Sequence, residues 1–245
     1  MLSELWTQWR TPASPVAKKM GFVYEAVALQ SRLKSHRSLW EAHLRRSKNA
    51  IKRMVESCEQ HHLCVILGSG LWADVPVEYL SRRFEEVWLV DIVHLPQVRK
   101  KVQTFENVQL MEWDVTESLA TWLSIDEGEL RVAQPTQFLG RSGIDLVVSV
   151  NILTQLSVLP VHWLRKETSI SEAQIEQIHY QLLKAHVDYL HKFSGQVGLL
   201  TEFQDESHAL FDKAWLSEWH EQTQWQWPLN NNLTTDVGVW VKKEY

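Results

Sequence analysis

The stretch 64–91, CVILGSGLWADVPVEYLSRRFEEVWLVD, constrains the fold more than any other part of the chain. A short apolar run at 64–67 leads directly into Gly68, Ser69 and Gly70. Residues 71–84 follow with apolar positions at roughly helical spacing, predicting a helix over 72–84. A second apolar run, 87–90, then ends on Asp91. Strand, glycine turn, helix, strand, acid is the order of a nucleotide-binding βαβ unit. A tight turn after a buried strand needs residues with little or no side chain. An acid at the tip of the next strand can accept hydrogen bonds from ribose hydroxyls. Gly68 and Asp91 are 23 residues apart, close to the ~20 such a unit shows. Alone, the two glycines make only a turn and Asp91 only a solvated strand end. The joint arrangement carries the reading.

The remaining segments extend the alternation. Leu33, Trp40, Leu44, Ile51, Val55 and Cys58 form one apolar stripe, so residues 21–60 read as one or two helices that need a partner surface. Strands are predicted at 64–67, 87–91, 108–113, 144–150 and 197–203. Helices are predicted at 72–84, 97–105, 116–123, 171–193 and 206–220, with 124–143 a polar connection. Residues 151–170 are apolar and are interrupted by Pro160. Ser171 is placed to cap the helix behind it. Two strands at 225–229 and 237–242, joined by a polar loop, must be antiparallel because so short a link allows nothing else. The fold class is α/β: a doubly wound, mainly parallel Rossmann-like sheet with a C-terminal antiparallel hairpin, preceded by an N-terminal helical extension. Residues 1–60 are read as a helical arm packed on a domain of residues 61–245.

Composition excludes several classes. No apolar run is long enough to span a membrane, and the N-terminus lacks the apolar core of a secretory signal. Two cysteines, Cys58 and Cys64, and eleven scattered histidines suggest neither a disulfide framework nor a metal site. A cytoplasmic protein is the expectation. The net charge of −5 is unevenly spread. Residues 1–60 carry eleven Lys/Arg against five Asp/Glu, or +6, so the rest, with fourteen against 25, carries −11. Arg45, Arg46, Lys48, Lys52 and Arg53 form the densest basic cluster. They could bind a nucleic-acid backbone, but the acidity behind them disfavours a polyanion.

The five alternating strands with a closing hairpin resemble the class I S-adenosylmethionine-dependent methyltransferases over about residues 60–242. VILGSG at 65–70 is similar to their glycine loop beneath the methionine part of S-adenosyl-L-methionine. VWLVD at 87–91 resembles the strand whose acid binds ribose, and VQLMEWD at 108–114 the strand whose acid meets the adenine amino group. IDLVVSVNILTQL at 144–156 resembles the fourth strand and the segment near the methyl group. The resemblance implies cofactor contacts at Gly68, Ser69, Gly70, Asp91, Ile92, Asp114, Val115 and Asn151. It also implies a role for Asn151 in orienting a methyl acceptor. His162 and Glu202, past the fourth and fifth strands, are weaker candidates for a catalytic role. Departures are specific: Trp72 stands where a third glycine is usual, Ile66 and Leu67 occupy a region that often holds an acid, and Asn151 is not followed by Pro-Pro-Tyr. The favoured acceptor is a small molecule or a protein. The alternatives are an RNA or DNA methyltransferase, an NAD(P)-dependent oxidoreductase and a catalytically silent scaffold.

Overall fold

A computed structural model describes residues 2–124, 130–205, 208–230 and 233–242. Four helices come first: α1 (Leu2–Arg10), α2 (Pro15–Lys19), α3 (Phe22–Ser35) and α4 (Arg37–Glu56). Strands and helices then alternate: β1 (Leu63–Leu67), α5 (Val77–Arg83), β2 (Glu86–Asp91), α6 (Pro96–Val102), β3 (Val108–Glu112), α7 (Leu119–Trp122) and β4 (Ile144–Val150). Helices α8 (Val158–Glu167) and α9 (Glu172–His191) lead to β5 (Gln196–Asp205) and β6 (His208–Ala209). The chain closes with β7 (Trp219–Pro228) and β8 (Thr234–Lys242).

The sheet order is β3-β2-β1-β4-β5-β8-β7, with β6 beside β5. Strands β1 to β5 pair in parallel, and β8 joins β5 and β7 antiparallel. This is the doubly wound sheet with an antiparallel end that the sequence predicts. All five residues of β1 are buried, so the strand must be covered on both faces. Leu63, Val65 and Leu67 face a core built with α8 and α9, while Cys64 and Ile66 face one built with α4 and α5.

The basic N-terminal segment forms two helices, divided at His36. Helix α4 lies on the second core through Trp40, Ile51, Met54 and Val55, all buried. A Cβ at Gly198 of β5 would stand 2.3 Å from Met54 Sδ, so the helix rests directly on strand backbone there. Trp40 Nε1–H donates to the Leu229 carbonyl at 3.2 Å, tying α4 to the end of β7.

Several boundaries differ from the sequence reading. The helix predicted over 72–84 starts only at Val77. Trp72 sits in the left-handed region at φ 63°, and Pro76 precedes the first turn; proline restricts the residue before it to extended conformations. Helix 116–123 shrinks to α7 because the Asp114 carboxylate ties up the chain before Leu119. Pro160 breaks nothing: it sits in the first turn of α8, where a missing N–H is harmless. No helix fills the described part of 206–220. A 3₁₀ turn at Lys213–Leu216 is followed by β7, which starts at Trp219, well before the predicted 225. A register shift between Glu221 and Thr223 turns the strand over, so Trp219 joins one core and Trp225 and Trp227 the other. Residues 206–207, 231–232 and part of the 124–143 connection lie outside the described residues. Ser171 caps α9 with a full capping box: its hydroxyl accepts from Gln174 N–H, and the Gln174 side chain accepts from Ser171 N–H.

Candidate functional site

In an open parallel sheet, ligands bind beyond the carboxyl ends of the strands where the strand order reverses. Here that point lies between β1 and β4, and a cavity of about 880 Å³ opens there. Its lining includes Gly68 and Gly70 after β1, Asp91 and Ile92 at the end of β2, Asp114 and Val115 after β3, and Asn151 after β4. The far wall comes from the N-terminal helices and the hairpin, including Leu29, Leu33, Trp40, His43 and Trp227.

The glycine loop is shaped by its contacts. Gly68 N–H and Ser69 N–H both donate to the Val90 carbonyl, at 2.9 and 3.1 Å. Gly68 has φ 81°, and a Cβ there would meet Ile152 Cγ2 at 2.1 Å and the Val150 oxygen at 2.8 Å. The end of β4 therefore presses against it, and no side chain fits. Gly70, at φ 47°, faces open space; its missing Cβ would stand 4.0 Å from Asp91 Oδ2. Ser69 departs from the sequence reading. It is fully buried outside the cavity lining, and its hydroxyl lies 3.1 Å from His94 Nε2. Trp72, in the place of a third glycine, is also buried and packs edge-on to Phe105 with Lys101 over its ring.

Asp91 Oδ2 accepts from Gly70 N–H at 2.7 Å and Oδ1 from Ile92 N–H at 2.8 Å. Val93 N–H is a third backbone donor to this carboxylate, which has about four acceptor positions, so one remains for a ligand. Burial pushes the Asp91 pKa up to about 6, against the lowering effect of these N–H donors. Asp114 is turned inward. Its Oδ1 accepts from Thr116 N–H and hydroxyl, at 2.9 and 2.7 Å, and its Oδ2 from Leu119 N–H at 2.9 Å. It thus organises the turn that presents Val115, with one acceptor position left on Oδ2.

Asn151 adopts φ 52°, rare for a residue other than glycine. Its N–H donates to the Leu200 carbonyl of β5 at 2.8 Å, which fixes the strained backbone. Its Nδ2 donates to Asp74 Oδ2 at 2.8 Å and lies 3.3 Å from His43 Nε2. Its Oδ1 is buried without a partner among the described residues. His43, from α4, accepts from Trp225 Nε1–H at 3.2 Å on Nδ1 and stacks on Trp227, with ring centroids 3.8 Å apart. Burial lowers its pKa to about 3, so the ring is neutral.

Neither Asp74 nor His43 carries a local signal for a site. Asp74 falls within the helix that the sequence predicts over 72–84 and that begins only at Val77, and His43 sits between apolar stripe positions 40 and 44. Of the weaker candidates, Glu202 lies within β5 and lines the cavity, whereas His162 is exposed on α8, outside the lining. No group of His, Cys, Asp and Glu among the described residues could hold a metal ion. No helix among them is long and apolar enough to cross a membrane.

No protein-family model matches the chain, and no curated protein matches it. Solved structures offer loose likenesses. A Burkholderia thailandensis 1,6-didemethyltoxoflavin-N1-methyltransferase with bound S-adenosylhomocysteine is 14% identical, with a TM-score of 0.45, covering 95% of this chain and 92% of that one. The N-methyltransferase NodS from Bradyrhizobium japonicum WM9 is 11% identical, with a TM-score of 0.44, covering 82% and 96%. Magnesium protoporphyrin IX methyltransferase from Synechocystis PCC 6803, with bound SAM, is 9% identical, with a TM-score of 0.46, covering 82% and 80%. At such values these likenesses assign nothing to individual residues.

Proposed function

We propose that the chain is an S-adenosyl-L-methionine-dependent methyltransferase acting on a small molecule. One observation carries the reading: the ends of β1, β2, β3 and β4 deliver Gly70, Asp91, Asp114 and Asn151 to the wall of a single cavity. The residues suit the cofactor. The space a Gly70 side chain would fill adjoins Asp91 Oδ2 and is where a ribose would enter. Asp91 retains an acceptor position for a ribose hydroxyl, and Asp114 retains one for an exocyclic amine. Ile92 and Leu119 supply apolar wall for a purine. Bound there, the cofactor supplies an electrophilic sulfonium methyl group. The chain's own contribution is positioning and exclusion of water: Asp91 orients, Gly68 holds the loop against β4, and α3, α4 and the hairpin close the far side.

The basic cluster gives a nucleic-acid acceptor little support. Lys48 acts electrostatically on Asp74 and Glu78, and Lys52 lies over the Tyr79 ring at 5.4 Å. Arg45, Arg46 and Arg53 are exposed and stand outside the cavity lining.

The test is titration calorimetry with S-adenosylmethionine, S-adenosylhomocysteine and NAD⁺. Binding of the first two and not the third is expected. Asp91→Ala should weaken binding by about 1.5–3 kcal/mol, the range for hydrogen bonds to a charged group. A folded Asp91→Ala protein with unchanged affinity would remove the assignment.

A further inference from the structure

The half of the cavity beyond Asn151 has a chemistry of its own. Trp40, Leu29, Leu33 and Trp227 make its walls apolar and partly aromatic. The stacked His43 and Trp227 rings form a flat surface, interplanar angle 9°. Among the carboxylates of the lining is Asp74, whose single side-chain hydrogen bond among the described residues comes from Asn151. The hold is stiff, because Asn151 is fixed by its strained backbone and its bond to Leu200. Ionisable groups lining the whole cavity are mostly acidic: Glu25, Asp74, Asp91, Asp114 and Glu202, against Arg32. Phosphorylated and other anionic acceptors are repelled by such a surface.

Resting on the cofactor reading above, we propose that Asp74, aimed by Asn151, anchors the methyl acceptor. The acceptor is then a flat, mostly apolar molecule whose nucleophile is a neutral N–H or O–H. A carboxylate can only accept hydrogen bonds, so it selects a group that still carries a hydrogen. As the nucleophile takes up the methyl group its proton would pass to the Asp74 carboxylate, and an ether or fully substituted amine product, with no hydrogen left to donate, loses the anchor, which favours release. Burial holds the Asp74 pKa above the ordinary carboxylate value, with Lys48 and Asn151 opposing.

Two probe pairs test this on the full chain saturated with S-adenosylhomocysteine: 7-hydroxycoumarin against 7-methoxycoumarin, and benzimidazole against 1-methylbenzimidazole. Titration calorimetry should show at least one parent binding about tenfold more tightly than its methylated partner, as a hydrogen bond to a charged group implies. Asp74→Asn keeps the Asn151 bond through its carbonyl oxygen and turns N–H groups to the acceptor. It should erase the preference while S-adenosylhomocysteine still binds. Asn151→Ala should reduce the preference with Asp74 intact. Equal binding within both pairs, no binding of any probe, or a preference that survives Asp74→Asn would overturn the proposal. Failure of S-adenosylhomocysteine to bind would instead overturn the cofactor reading, and the same pairs titrated without it would still test the anchor.

Discussion

Gly68 and Gly70 lie two positions apart, both with positive φ, yet they are glycines for different reasons. At Gly68 a methyl group would collide with Ile152 and the Val150 carbonyl. Gly68→Ala combines left-handed strain of about 1–2 kcal/mol with overpacking of about 1–3 kcal/mol. It should therefore lower stability in urea denaturation by about 2–5 kcal/mol. At Gly70 the methyl group meets no protein atom nearer than Asp91 Oδ2. Gly70→Ala should lose only the strain in stability, and on the proposed cofactor reading should also lose S-adenosylmethionine affinity. Equal stability losses in the two variants would show that the close approach at Gly68 is unimportant. Asn151 shows a third use of positive φ. Its backbone is strained and its side chain is consequently aimed at Asp74, and strain of this kind collects where geometry serves a ligand.

Helix α4 joins a basic outer face to an apolar stripe that needs a partner surface. Its inner face contributes Trp40, Ile51, Met54 and Val55 to a core shared with β1, β4 and β5. It also delivers His43 to the cavity. Burying side chains of this size contributes about 1.5–3 kcal/mol each, which for four residues rivals the net stability of a whole domain. Deleting residues 1–60 should therefore leave an insoluble or unfolded remainder. A soluble truncated protein with an unchanged melting temperature would contradict this. Helix α5 illustrates the opposite case: its short, late start leaves residues 71–76 irregular, and that irregularity brings Asp74 to Asn151.

Across the whole molecule, buried histidines set the acid limit. Burial holds His43 at about 3 and His94 and His186 at about 4, against about 6.5 in the unfolded chain. Below pH 6.5 the unfolded chain binds protons that the folded one refuses, so stability falls as pH drops toward 4. Asp91, raised to about 6, and Asp74, also raised by burial, work in the other direction, because their protonated forms suit the fold. The three histidines, at about 2 kcal/mol each by pH 5, outweigh the two carboxyls. The melting temperature should be flat above pH 7 and should fall steadily from pH 6.5 to 5, less steeply in His186→Gln. A flat profile down to pH 5 would refute this account.

Local rules determined much of this protein. Apolar runs of strand length, the glycine turn and the acids that close β2 and β3 specify the alternating α/β order, because a parallel strand buried on both faces must be apolar throughout. The capping box at Ser171 and the antiparallel hairpin were likewise legible, since a helix start and a short connection are settled within a few residues. Gly68, Gly70, Asp91, Ile92, Asp114, Val115 and Asn151 all reach one cavity because strand ends in such a sheet converge on its switch point. Only tertiary contacts decided the rest. The buried side of Ser69, the late start of α5 and the turnover of β7 at its register shift depend on which surface lies opposite, and no local pattern records that. The joining of Asp74 and His43 to Asn151 also had to wait for the fold. It brings together residues 77 and 108 positions apart, a distance that only packing of α4 and the loop against the end of β4 can close.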